Sequence, residues 1–155
     1  MTGHITDQTL PSVPDALPYG DVVVRFAKIV PADAERGFVP YYYFRILTVK
    51  GEEVGHVNFR VGDTEHIRLY AGHIGFQIQE AFRGRGYAWQ ACRAVAPFVR
   101  SIYESVIITC DPDNHASRRT IERLGAAFIE EVRVPASDPN YERGSRVKRR
   151  YIWKP

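Results

Sequence analysis

Two arginines alternate with two glycines at positions 83 to 86, and this short segment has the residue types to bind an anion. It reads Arg83-Gly-Arg-Gly86-Tyr-Ala88. Glycines at this spacing permit backbone torsions that side chains forbid, so several amide N–H groups can point at one spot. A helix that begins here adds unpaired N–H groups and a partial positive charge, and the arginines add two full charges. The segment therefore predicts a loop that binds a phosphate or a pyrophosphate.

The spacing of this loop excludes two common phosphate-binding motifs. A Walker loop ends in Lys followed by Ser or Thr, and no such pair is present here. A dinucleotide loop needs a third glycine, but that position holds Trp89. The segment does match Arg-x-x-Gly-x-Ala. In this it resembles the pyrophosphate loop, [QR]-x-x-G-x-[GA], of the Gcn5-related N-acetyltransferases (the GNAT family).

The resemblance continues downstream of the loop. Residues 105–110 have the composition of a buried strand, and residues 111–125 resemble the family's next segment, in which an Asn opens a helix that closes on Leu-Gly. Ser117 and Gly125 follow Asn114 by three and eleven residues. The branch of the family that acetylates ribosomal proteins usually has these residues at the same spacing, so the chain is most similar to that branch.

The elements around the loop can be predicted from hydrophobic periodicity. Residues 72–79 alternate between apolar and polar side chains, as a strand with one buried face does. From Ala88 to Ile102 apolar residues recur every three or four positions, which predicts a helix that bends at Pro97. Further strands are predicted at 21–30, 41–49, 54–61, 105–110, 126–134 and 146–153, with a connection at 62–71 and a loop at 135–144.

These elements predict an α/β fold with one mixed sheet. Residues 1–20 contain three prolines and are expected to form an irregular leader, followed by a single GNAT-like acyltransferase domain at 21–155. Residues 72–110 should form a right-handed crossover between two parallel strands in an otherwise antiparallel sheet. In the family, this central parallel pair is splayed around the coenzyme.

One connection departs from the family pattern. Two helices usually separate the first two strands and form part of the acceptor cleft, but residues 31–40 leave room for only one helical turn, at 32–36. The cleft is then either more open or completed by another element. The C-terminal tail and a second subunit of a homodimer are examples of such an element.

The resemblance implies an N-acetyltransferase that uses acetyl-CoA. The acetyl group would pass to a primary amine, which is a protein N-terminus, a lysine or a small amine, by direct attack in a ternary complex. A backbone N–H near Gln77 or Ile78 would stabilise the oxyanion. The resemblance places the cofactor on Ile78, Arg83, Gly84, Arg85, Gly86, Tyr87, Ala88, Asn114 and Ser117.

Several residues are candidates for proton transfer and for acceptor binding. His56, His73 and Glu80 are candidate bases for the amine. Ser117, Tyr141 or a water could protonate the departing thiolate, because the family's usual Tyr, seven residues after the Asn, is Ile121 here. Neighbouring strands are expected to merge their polar faces into one surface with His56, Asn58, Arg60, His73 and Gln77, of which His56, Asn58 and Arg60 are the candidate acceptor-binding residues.

The composition limits the other functions. A formal net charge of +3 is too small to indicate nucleic acid binding by itself. No apolar run approaches about 20 residues and no secretion signal is present, so we expect a cytoplasmic protein without membrane contact. Two cysteines predict neither a disulfide framework nor a metal site. A GNAT-fold protein that binds CoA without catalysis, and a nucleic-acid-binding module that uses the loop and the basic residues 146–150, are the alternatives.

Overall fold

We describe residues 10–155 of the chain from a computed structural model. Within this range eight strands form one open sheet in the order β1-β2-β3-β4-β5-β6-β8-β7. The strands are β1 Ala16–Tyr19, β2 Val22–Val30, β3 Tyr41–Thr48, β4 Glu53–Arg60, β5 Ile74–Ile78, β6 Val106–Cys110, β7 Ala127–Arg133 and β8 Val147–Trp153. The helices are α1 Tyr87–Ile102, α2 His115–Arg123 and the single turn α3 Pro139–Glu142, together with a π-helical segment His66–Ala71 and a 3-10 turn Glu80–Phe82.

The two central strands β5 and β6 form the parallel pair of this otherwise antiparallel sheet. On one side, β5 pairs with β4 along its whole length, from Ile74 opposite Phe59 to Ile78 opposite Gly55. On the other side it pairs with β6 only where Ile74 lies opposite Ile108. Beyond this point the strands separate. The predicted mixed sheet with a splayed central pair is therefore confirmed.

Helix α1 covers one face of the sheet and forms the core with it. The Phe98 ring lies 4.9 Å from Tyr42 and 5.9 Å from Phe59, both in edge-to-face geometry. Alternate residues of β3 and β4 are buried against this helix. Pro97 lies within α1 on its exposed side, where its ring does not disturb the buried stripe.

Three sequence-based expectations about the connections are corrected. Residues 1–9 of the predicted irregular leader lie outside the described residues, but Ala16–Tyr19 form β1, an edge strand on which Pro18 is tolerated. The helical turn expected at 32–36 is instead a tight turn closed by the Asp33–Phe38 bridge. The predicted connection at 62–71 contains the π-helical segment, and the predicted loop at 135–144 contains α3.

No helix separates β2 from β3 in residues 31–40, all of which are described. The departure from the family pattern predicted for this connection is therefore present. None of the helices in residues 10–155 is long and apolar enough to span a membrane.

Candidate functional site

The glycine-rich loop has the backbone conformation that its sequence predicts. Gly84 has a φ of 82° and Gly86 a φ of 76°, both in the left-handed region that side chains disfavour. Gly86 is the residue from which α1 starts. A Cβ atom at Gly86 would lie 3.2 Å from Nη1 of Arg123, so this position is also crowded. The loop thus depends on glycine for conformation and, at residue 86, for space.

The start of α1 carries unpaired amide groups. Gln90 is the first residue here whose N–H forms a helical hydrogen bond. It donates to the Gly86 carbonyl over 3.1 Å. Among residues 10–155 no acceptor pairs with the amides from Gly84 to Trp89, and the first turn has no acidic residue. These amides and the helix dipole give the region a positive potential that suits an anion.

A cavity of about 620 Å³ opens beside these amides. Its charged lining residues are Arg83, Arg119 and Arg123, and no carboxylate lines it. Arg123 stacks on the Trp89 ring, with the guanidinium carbon 3.9 Å from the ring centroid. We call this space the first cavity. Its three positive charges and free amides suit a polyanion.

Arg83 and Arg85, which were both predicted to bind the anion, have different positions. Arg83 lines the first cavity, and its Nε donates to the Ile78 carbonyl over 3.0 Å, which ties the loop to the end of β5. Arg85 is exposed, lies over the Phe82 ring at 5.7 Å and does not line the cavity. The structure therefore brings Arg83 to the cavity, whereas Arg85 stands outside it.

The gap between β5 and β6 exposes one edge of β5 to the first cavity. Arg60 N–H bonds to the His73 carbonyl and Gln79 N–H to the Val54 carbonyl, so the odd-numbered residues of β5 pair with β4. In an alternating antiparallel ladder, the N–H groups of Phe76 and Ile78 then face the gap. Of the two oxyanion donors that the sequence left open, this register favours the N–H of Ile78 over that of Gln77.

A second cavity, of about 830 Å³, lies on the face of the sheet opposite α1. It is enclosed by residues 30–39, the end of β4, the π-helical segment and the C-terminal residues Pro139, Asn140, Arg143 and Lys148. The C-terminal segment, one of the elements proposed to complete the cleft, therefore lines this cavity. A homodimer stays a prediction.

The two cavities meet at three residues. Phe76, Asn114 and Ser117 line both of them. Asn114 is the N-cap of α2, and its Oδ1 accepts the Ser117 N–H over 3.1 Å. This cap fixes the first turn of α2 at the open end of the gap. A group held in one cavity can therefore reach a group held in the other at this junction.

A histidine and an aspartate that the sequence analysis missed form a pair at the second cavity. Nδ1 of His66 lies 2.6 Å from Oδ2 of the buried Asp138, and His66 lines the cavity. Burial acts to raise the pKa of Asp138, but hydrogen bonds from His66 and Asn140 outweigh it and hold that pKa below its ordinary value. With Nδ1–H donated to the carboxylate, Nε2 of His66 can accept a proton.

His73 does not lie on the polar surface expected for it. It is buried, Nδ1 accepts the Ile107 N–H over 2.9 Å, and Nε2 lies 3.0 Å from the Gly62 carbonyl oxygen. It lines neither cavity. Because both ring nitrogens hold backbone groups, His73 links β5, β6 and the segment after β4, and has no free nitrogen for catalysis.

The other predicted site residues fall into two groups. Asn58 and Arg60 line the second cavity, and Gln77 lines the first. His56 stacks on Tyr43 at 5.4 Å and Glu80 is exposed in the 3-10 turn, and neither lines a cavity. His56 and Glu80, both candidate bases, therefore lie away from the junction of the two cavities.

Two positions discussed for the group that protonates the thiolate, Ile121 and Tyr141, do not reach the junction. Ile121 is fully buried in the core, so a Tyr at this position would have to displace core side chains. Tyr141 packs under Arg146, whose guanidinium carbon lies 3.5 Å from the ring centroid, and lines neither cavity. Of the side chains considered, Ser117 is the one that reaches the junction.

A family model described as the acetyltransferase (GNAT) domain matches residues 8–127. A search of curated proteins found no match. Among solved structures, an acetyltransferase of the GNAT family from Bacillus anthracis has a TM-score of 0.63 at 17% sequence identity. That alignment covers 88% of this chain and 96% of the other.

Two further solved structures with this fold contain ligands. RimL, the ribosomal L7/L12 alpha-N-protein acetyltransferase, was solved with coenzyme A and has a TM-score of 0.56 at 20% identity, over 76% of this chain and 63% of that one. The microcin C7 self immunity acetyltransferase MccE, solved with acetyl-CoA and AMP, has a TM-score of 0.55 at 19% identity, over 74% and 61%. The chain thus covers less than two thirds of these two relatives, and the likeness shows the fold.

Proposed function

The chain belongs to the GNAT acetyltransferase family, whose domain model matches residues 8–127, and we propose that it transfers an acetyl group from acetyl-CoA to a primary amine. The observation that carries this proposal is the meeting of two cavities at Phe76, Asn114 and Ser117. One cavity offers free amides and arginines to an anionic donor. The other offers polar and charged side chains to an acceptor. Direct attack in a ternary complex follows from this arrangement.

The donor is assigned to the first cavity. The free amides at the start of α1, together with Arg83, suit a pyrophosphate, and Arg119 and Arg123 add positive charge. The open edge of β5 suits an extended arm that carries amide groups. The residues proposed to hold the coenzyme are Ile78, Arg83, Gly84, Gly86, Tyr87, Ala88, Asn114 and Ser117, with Arg85 contributing only its charge at longer range.

The reaction exchanges one bond for another. The amine nitrogen bonds to the acyl carbon as the carbon–sulfur bond breaks, the amine gives up a proton and the thiolate takes one. We assign the proton from the amine to Nε2 of His66, directly or through a water. The Ile78 N–H is the proposed oxyanion donor. Ser117 is the proposed source of the proton for the thiolate, a step that needs little assistance because a free thiol has a pKa of about 8.5.

Replacing Gly86 with Val tests the donor site. The added side chain would strain the left-handed backbone and crowd Arg123. We expect CoA affinity, measured by calorimetry, to fall by more than about tenfold, or about 1.4 kcal/mol. Gly51→Val is the matched control, since Gly51 has a φ of 90° in the β3–β4 turn with open space around it. It should show similar strain but normal CoA binding; unchanged affinity in the Gly86 variant would contradict the proposal.

Catalysis is tested separately from binding. Release of free CoA thiol is measured with acetyl-CoA and a panel of primary amines that includes peptides, lysine derivatives and small amines. Amine-dependent release supports the transferase. Tight CoA binding without release with any amine would identify a CoA-binding protein that lacks catalysis.

A further inference from the structure

Arg60, at the end of β4, places a guanidinium group in the wall of the second cavity. Its Nη1 donates to the carbonyls of Ala71 and Gly72, both over 3.2 Å. Burial lowers the pKa of Arg60, Tyr41 opposes this, and the nearby positive charge of Arg143 lowers it further. No carboxylate forms an ion pair with Arg60 anywhere in residues 10–155. The guanidinium is held in place by carbonyl dipoles alone.

The other charges of this cavity are mostly compensated. Lys148 pairs with Asp111 over 2.8 Å, and Arg36 with Asp33 over 3.6 Å. Among the described residues, the charged lining groups without an ion pair are Arg60, Arg143 and the exposed Glu35. A desolvated cation without a counter-ion is unfavourable, whereas an anion bound beside it would relieve this cost. The cavity therefore has an excess of positive charge at Arg60 and Arg143.

Two neighbours of Arg60 also suit the cavity to a ligand that carries an N–H donor. Asn58, two residues earlier on β4, has a buried Oδ1 with no hydrogen bond donor. Gly75 lies opposite Asn58 on β5, and a Cβ atom there would be 3.0 Å from Nη2 of Arg60, so the glycine leaves room for the guanidinium. Asn58 Oδ1 would accept an N–H of a ligand whose anionic group contacts Arg60.

The Arg60 guanidinium lies near the strand segment that reaches the junction of the two cavities. Gly75 precedes Phe76, which lies at the junction of the cavities, and adjacent Cα atoms are about 3.8 Å apart. An anion on Arg60 would therefore lie beside Gly75, the residue next to the one that lines both cavities. A long, neutral amine would leave the guanidinium unpaired at this point.

We infer that Arg60 and Arg143 form an anion subsite of the acceptor cavity, and that the preferred acceptor is a primary amine with a carboxylate a few bonds from its nitrogen. This inference rests on the proposed function, because it names the acceptor of that reaction. Free amino acids and peptides with an acidic N-terminal residue both present this chemistry. The guanidinium fork binds a carboxylate with two parallel hydrogen bonds.

The test compares matched acceptors that differ only in a carboxylate, namely amino acids against their amides and peptides that begin with Asp against those that begin with Asn. We expect kcat/KM to favour the carboxylate member by about tenfold or more. Arg60→Met and, separately, Arg143→Ala should remove most of this preference and leave CoA affinity unchanged. Arg25→Met, at an exposed strand position that lines neither cavity, is the control. A wild type without the preference, or an Arg60 variant that retains it, would overturn the inference.

A binding measurement covers the case in which no acceptor turns over. Carboxylate-bearing amines are titrated into the CoA-saturated protein, and the melting temperature is followed. We expect stabilisation of the wild type and of the Arg25 variant, but not of the Arg60 and Arg143 variants. Arg143 is exposed, so its replacement should not impair folding. If no carboxylate-bearing amine binds, or if the arginine variants bind equally well, the inference fails even where CoA binding supports the donor site.

Discussion

The partners of the ring nitrogens distinguish His66 from His73. In His73 both nitrogens hold backbone groups, whereas in His66 one nitrogen pairs with Asp138 and the other has no hydrogen bond to any of residues 10–155. A histidine oriented through one nitrogen by a carboxylate is a common arrangement for a general base, because the carboxylate sets the tautomer and stabilises the charged ring. This is why we assign proton acceptance to His66.

Replacing His66 with Asn tests that assignment at the residue scale. We expect kcat to fall by about 100-fold or more, with CoA affinity unchanged, because the loss concerns proton transfer alone. The loss should fall on kcat and leave the KM for acetyl-CoA unchanged, a split that a general structural disturbance would not give. Asp138→Asn should show a smaller loss. His56→Asn, at an outlying position on the same sheet, should behave like wild type; equal losses in both histidine variants would argue against the assignment.

At the scale of elements, the proposed function depends on the separation of β5 from β6. The strands pair at Ile74 and Ile108 and then diverge, which opens the junction between the cavities. His73 bridges this point, because it accepts the Ile107 N–H while its other nitrogen contacts the Gly62 carbonyl. Since an N–H group can only donate, Nδ1 must be unprotonated and the ring neutral. The point at which the strands begin to separate is therefore held by a hydrogen bond that protonation of His73 would break.

This bridge predicts a pH dependence of stability. Burial, as the largest cause, lowers the pKa of His73 in the folded protein. The unfolded chain then binds the proton more readily, so the contribution of His73 is complete above about pH 6.5, its ordinary pKa, and is lost as the pH falls below that value. Urea unfolding at pH 7.5, 6.5 and 5.5 measures the effect. His73→Gln, which can accept and donate without titrating, should flatten the dependence; an equally steep dependence in this variant would refute the account.

At the scale of the whole molecule, two cavities open at the same gap and no reactive thiol is available to carry an acetyl group. Both Cys92 and Cys110 are buried. Burial raises the pKa of Cys92 to about 12 and also raises that of Cys110. Cys110 lines the second cavity, but as a protonated thiol it is a weak nucleophile. The arrangement favours simultaneous binding of donor and acceptor over a covalent acetyl-enzyme.

Steady-state kinetics test this expectation. Initial rates measured against both substrates should give intersecting lines, as a ternary complex requires, rather than the parallel lines of a covalent intermediate. Cys110→Ala and Cys92→Ala should keep kcat within about threefold of wild type, although the Cys92 variant should lose about 1 kcal/mol of stability through a small core void. Parallel lines together with inactivity of the Cys110 variant would establish a covalent route instead.

Features that depend on residues close together in the chain could be read from the sequence. The two glycines predicted a left-handed loop because the missing Cβ is a local property, and Gly84 and Gly86 both have positive φ. Periodicity likewise predicted α1 and β5, because one-sided burial imposes a pattern within an element, and β-rich composition predicted most of the other strands from β2 to β8. The Asn114 cap of α2 is of the same kind, with donor and acceptor three residues apart.

The tertiary structure alone decided which side chains share a site. His66 and Asp138 are separated by 72 positions, and only the fold brings them to hydrogen bonding distance. Period-2 alternation placed His73 on the polar surface, but the bridge between β5 and β6 holds it inside instead. Arg60 could be predicted as polar, whereas its lack of a counter-ion is a property of everything packed around it. Local patterns are set by torsions and one-sided burial, but charge pairing is set by distances through space.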